Sequence, residues 1–81
     1  MITPEQEKYN MGRNIRKFRM ENHLTQEETV AELHARGIKM SRGTYSHIEC
    51  GLDNIWVEEL LTLAEIFHVD IADFFKGLSL C

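Results

Sequence analysis

The sequence predicts an all-α fold, a single compact domain of five short helices. Three observations carry this prediction. Proline occurs once, at position 4, where it suits the opening of a helix rather than its interior. Apolar residues recur every third or fourth position instead of alternating. Helix-start signals, a hydroxyl or acidic cap followed three residues later by an acid or amide, stand at Thr3/Gln6, Thr25/Glu28 and Asp70/Asp73. At 81 residues the chain has the size of one domain, 1–81, and no repeat, linker or low-complexity stretch divides it.

The first helix opens with Thr3 as cap and Pro4 at the first helical position. Its apolar stripe is Met11, Ile15 and Phe18, Asn22-His23 ends it, and Gly12 is a weak point inside it. The second opens at Thr25-Gln26-Glu27-Glu28, where the Glu28 carboxylate is placed to reach back to the Thr25 amide. Val30 and Leu33, with Ala31 beside them, supply its buried side, and Arg36-Gly37 stops it.

Residues 41–51, "SRGTYSHIECG", form the third helix. Ser41 caps it, and Met40 packs on Tyr45 as a hydrophobic staple. Tyr45 and Ile48 point inward, so Arg42, Gly43, Ser46 and His47 fall on the outside before Gly51 stops the helix. The fourth runs from Ile55 to Phe67, capped by Asp53 or Asn54, with Val57, Leu60, Leu61, Leu63, Ala64 and Phe67 as its apolar face. Trp56, at its start, is expected to pack, as large aromatics mostly do. The fifth begins at Asp70 and carries Ile71, Phe74 and Phe75 before Lys76-Gly77 closes it.

Composition bounds the function. Hydrophobic residues at 43% and charged residues at 27% indicate a soluble globular chain, and no apolar run approaches the roughly 18 residues of a membrane span. The opening "MITPEQEKYN" lacks the basic start and apolar core of a signal peptide, so a cytoplasmic protein is expected. Net charge is −4, unevenly spread: residues 1–48 hold eight Lys/Arg and six Asp/Glu, residues 49–81 one Lys and seven Asp/Glu. Any contact with nucleic acid must therefore come from the N-terminal two-thirds.

Cys50 is expected to be a small, partly buried side chain and Cys81 a thiol at the chain end, since two cysteines without an export signal make no disulfide framework. His47 and Cys50 share a helical face, and His34, His23 or Cys81 would have to complete a metal tetrahedron. No second paired motif supports that set, so neither metal nor cofactor is expected. Glu27 and Glu28 diverge in direction and invite no catalytic reading. No nucleophile–base spacing, phosphate loop or HExxH occurs, which argues against an enzyme.

"IRKFRMENHLTQEE", "SRGTYSHIECG" and "LLTLAEIFHVDIADFF", in that order and spacing, resemble the Cro and phage lambda repressor-like helix-turn-helix family, the XRE type. The resemblance covers about residues 11–75 and leaves 76–81 as a tail. It implies a DNA-binding transcriptional regulator, usually a two-fold dimer on a pseudo-palindromic operator, with the third helix as reader. On that basis Arg42, Gly43, Thr44 and His47 are expected at base edges. Gln26, Thr25, Ser41, Ser46 and Asn54 are expected at phosphates, the helix starts at Thr25 and Ser41 presenting unpaired amides. The resemblance also implies an ion pair between Arg19 and Glu49.

Phe75, Leu78 and Leu80 are the candidate homodimer surface, an apolar end beyond the core positions. The chain departs from the family between Leu33 and Ser41, where several extra residues lengthen the second helix or re-aim the third. The acidic C-terminal third keeps a rival open: a helix-turn-helix-derived module of antitoxin or anti-repressor type that binds a protein partner and little or no DNA.

Overall fold

The computed structural model describes residues 3–78, and Leu80 and Cys81 lie outside them. Four α-helices, α1 (Pro4–Glu21), α2 (Gln26–Ala35), α3 (Arg42–Glu49) and α4 (Val57–Phe67), are followed by a single 3-10 stretch, Ile71–Phe75. The expected fifth α-helix is thus a tighter turn. Only five residues separate its Asp70 cap from Lys76, and Asp73 N–H bonds back to the Asp70 carbonyl at 2.9 Å. A segment this short gains little from i→i+4 bonding. Its purpose in the packing is to insert Phe74, fully buried, edge-on to Phe18 (5.6 Å between centroids) and Phe67 (6.4 Å).

The caps expected at Thr3, Thr25 and Ser41 are present. Thr3 accepts from the Gln6 amide, and the Thr25 hydroxyl accepts from the Glu28 amide at 3.0 Å while the Glu28 carboxylate accepts from the Thr25 amide at 2.9 Å. Ser41 Oγ accepts from the Thr44 amide at 3.1 Å. One core then collects a side from every element: Ile15 and Phe18, Val30 and Leu33, Met40, Tyr45 and Ile48, Leu60, Leu63, Ala64, Ile66 and Phe67, and Phe74. Asparagine side chains clasp its ends. Asn22 Nδ2 donates to the Phe18 and Phe67 carbonyls, and Asn14 Nδ2 to those of Phe74 and Lys76.

Several expectations need correction. α4 begins at Val57, two residues late, because the Trp56 amide, rather than one nearer Asp53 or Asn54, is the one satisfied by a carboxylate three residues on, that of Glu59, at 2.9 Å. Val57 and Leu61 are exposed and Ile66 is buried in their stead. Trp56 does not pack: it is 72% exposed. Ala31 and Cys50 are exposed as well. α2 is not lengthened either, since it stops at Ala35 and the extra residues form a turn that packs Ile38 and Met40 against the core.

Gly12 is not a weak point but the place where α1 crosses the end of α3. A Cβ there would lie 2.4 Å from the Ile48 and Glu49 carbonyl oxygens. Gly51, just past α3, meets the same helix from the other side. Its φ is +74°, and a Cβ would fall 2.5 Å from Tyr9 Cα. Both obstacles are backbone, which cannot rotate away.

Gly12→Ala should therefore lose about 3 kcal/mol, the upper part of the overpacking range, although Ala is the better helix former. Gly43→Ala, whose Cβ would find only Ser41 Oγ at 3.9 Å, should gain about 0.5 kcal/mol from helix propensity. Urea denaturation of both variants checks the pair; an unchanged Gly12→Ala midpoint would remove the crossing constraint.

Candidate nucleic-acid interface

The outer side of α3 starts from its cap. Ser41 closes the first turn through Thr44, to whose hydroxyl Ser41 Oγ also donates at 3.0 Å. With Tyr45, Ile48 and Glu49 buried, the helical period turns Arg42, Gly43 and His47 to solvent and leaves Thr44 and Ser46 half-buried. Amides at the start of α3 and of α2 are free of helical partners and carry partial positive charge, so both starts attract anions.

Beneath this face lies a polar cluster. Arg19 Nε and Nη2 donate to the two Glu49 oxygens at 2.6 and 3.1 Å, and Arg19 Nη1 donates to the Leu24 carbonyl at 2.8 Å. Glu49 is only 5% exposed. Its hydrogen bonds outweigh desolvation and raise the Arg19 pKa above the usual value, so the guanidinium stays charged. Gln26 Nε2 donates to Glu49 Oε1 at 3.0 Å. The ion pair and the glutamine expected at a phosphate are therefore one network, joining α1, the start of α2 and the end of α3.

The Tyr45 hydroxyl sits against this cluster, fully buried, with no hydrogen-bond partner among the described residues. Burial, and then the neighbouring Glu49 carboxylate, push its pKa well above the ordinary phenol value. It is a neutral filler there.

The other expected contacts are spread around these helices. Thr25 has its amide and one hydroxyl lone pair taken by the capping box, which leaves its hydroxyl hydrogen. Asn54 is exposed in the loop after α3, its amide donating to Asp53 Oδ1. Phe75 packs against the core and Leu78 is half-buried, while Leu80 lies outside the described residues. No group of three His, Cys, Asp or Glu among the described residues is placed to hold a metal.

Sequence reasoning missed two features of this face. Arg42 Nη1 lies 3.0 Å from Glu27 Oε1, pairing the foremost residue of α3 with an acid on α2. His34 Nε2 donates to the Met40 carbonyl at 2.7 Å, pinning the long turn just before the Ser41 cap. Both bridge separate elements, and neither has a spacing signature. The apolar residues Leu52, Trp56, Val57 and Leu61, all exposed, flank the end of α3 and the start of α4.

Residues 15–74 match the helix-turn-helix family. No curated protein sequence matches the chain. Among solved structures, the restriction-modification controller protein C.AhdI from Aeromonas hydrophila is similar over 84% of this chain and 96% of its own, with a TM-score of 0.73 at 20% identity. A helix-turn-helix family transcriptional regulator from Vibrio cholerae is similar over 93% of this chain, with a TM-score of 0.75 at 17% identity. This chain covers 39% of that longer protein. At such identities the two likenesses establish the fold.

The buried cluster predicts opposite outcomes for neighbouring changes. Glu49→Ala strands the Arg19 charge and should cost about 3–5 kcal/mol. Tyr45→Phe removes a hydroxyl that makes no bond, and should be neutral or stabilising by up to about 1 kcal/mol. Denaturant midpoints decide both, and a large loss in Tyr45→Phe would mean that the hydroxyl has a partner after all.

Proposed function

The chain belongs to the helix-turn-helix family of DNA-binding transcription regulators, and we propose that it reads a specific duplex sequence with α3. One observation carries the assignment: Arg42, Gly43 and His47 stand exposed together on a helix whose opposite side is locked by Tyr45, Ile48 and the Arg19–Glu49 pair. An arginine at the start of a groove-facing helix can fork onto guanine O6 and N7, worth about 1–3 kcal/mol of discrimination. Gly43 lets the backbone approach closely, and Thr44 and His47 complete the base-facing set. Gln26, held by Glu49, keeps a second amide hydrogen for a phosphate. Thr25, Ser41, Ser46 and Asn54 supply the remaining polar contacts to the strand.

On this reading the protein is a repressor that acts by occupying its operator, as a homodimer, in the cytoplasm, and it is not an enzyme. No described helix is long and apolar enough to cross a membrane. Two-fold pairing would set two α3 helices about 34 Å apart, one turn of DNA, and make the site pseudo-palindromic. Two apolar surfaces are available for the pairing, Phe75 with Leu78 near the C-terminal end and the exposed set around Trp56. That exposed set, in an acidic third of the chain, also favours the second reading, a protein-binding module with little affinity for DNA.

Selection from a random duplex pool at two salt concentrations tests these readings. The expected result is enrichment of a two-fold symmetric site, with Arg42→Ala losing about tenfold or more of the preference. A pool that stays random at low salt would overturn DNA reading and leave the protein-binding module.

A further inference from the structure

Glu27 lies on the surface that must approach a polyanion, and beyond favouring the dipole of α2 as an acid in its first turn it takes no part in the cap, the buried network or the core. The capping box uses Glu28, Gln26 is held by Glu49, and the buried side of α2 is Thr29, Val30 and Leu33. The Glu27 side chain is 72% exposed and that of Arg42 62%, yet Glu27 Oε1 and Arg42 Nη1 are 3.0 Å apart. An acid here disfavours phosphate contacts at this point of the surface. We propose that Glu27 is a specificity-determining residue, which pairs with Arg42 to keep it from acting as a general phosphate anchor.

This inference rests on α3 being the reader. Its physical basis is the difference between the two targets of an arginine. The contact to Glu27 is made by Nη1, and among the described residues no hydrogen bond engages the Nε–Nη2 edge of the guanidinium. A guanine edge is uncharged, and its O6 and N7 can accept from that free edge while the carboxylate stays in place. A phosphate carries a full negative charge and must approach Arg42 beside the Glu27 carboxylate, where like charges repel. The pair therefore filters by charge. Random DNA, which seldom offers Arg42 a guanine in register with the other contacts and otherwise offers phosphates, is disfavoured, and a site with guanine in register is not. The chain's low basicity has the same consequence, because non-specific binding comes almost wholly from neutralised phosphates.

The test measures affinity for the selected duplex and for a random-sequence duplex of equal length, across a salt series, in wild type, Glu27→Gln, Arg42→Ala and the double variant. Glu27→Gln should bind random DNA about three- to fivefold more tightly, the range of an exposed pair. Its log–log salt slope on random DNA should steepen by about 0.9, one more phosphate neutralised. Binding to the selected site should change less than twofold, so discrimination falls. In the Arg42→Ala background the Glu27→Gln change should have no effect.

Random-DNA affinity and slope that stay at wild-type values would overturn the proposal. So would an equal tightening in the Arg42→Ala background, which would make Glu27 a diffuse surface charge. Wild-type chain that prefers no site brings down α3 reading itself, and Glu27's role with it; that result is seen before any Glu27 variant is compared.

Discussion

α1 crosses the C-terminal end of α3 at backbone-to-backbone distance, and the outward face of α3 takes its orientation from that crossing. Two glycines make the approach sterically possible, Gly12 against the Ile48 and Glu49 carbonyls and Gly51 against the Tyr9 backbone. The Arg19–Glu49 pair then fixes it chemically. Removing either partner leaves a buried charge without its counterpart, a larger loss than any single exposed contact on the face. Because Glu49 also holds Gln26, the same pair sets the start of α2 relative to α3. A reader of DNA needs its two helix starts in fixed relation, since a groove contact and a phosphate contact must be made at once.

The turn between α2 and α3 illustrates the same economy on the other side. It is long for a helix-turn-helix, yet it is not loose. Ile38 and Met40 are packed on the core, and His34 donates across it to the carbonyl next to the cap of α3. α3 is thus held at its C-terminal end by α1 and at its N-terminal end by α2.

Much of this was legible in the sequence, because it depends on local chemistry. Thr25 with Glu28 and Ser41 with Thr44 are bonds between residues three apart, so the helix starts could be read directly. The three-to-four spacing placed Ile15, Leu33, Tyr45 and Ile48 inside. The failures are tertiary. Gly12 reads as a helix weakness until the carbonyls of another helix are placed against it. Arg19 and Glu49 are thirty residues apart and were paired only through a family resemblance. Arg42 and Glu27 carried no signal at all. Trp56 stands exposed although large aromatics mostly pack, because no neighbouring element among the described residues covers the start of α4 on its side. α1 and α4 stop where expected, before Asn22-His23 and at Phe67, although His23 at φ 57° and His68 at φ 58° stand where a glycine is usual.

On the proposed reading DNA is met by the start of α2, the outer side of α3 and Asn54 in the loop after it. That placement is tested most directly by titrating isotope-labelled protein with its selected duplex and following backbone amide resonances. The largest shifts are expected at Thr25, Gln26 and Glu27 and from Ser41 to His47, with a smaller change at Asn54 and none along the outer side of α4 at Glu58 and Glu65. Shifts concentrated on α4 or on residues 71–75, with α3 unmoved, would contradict that placement.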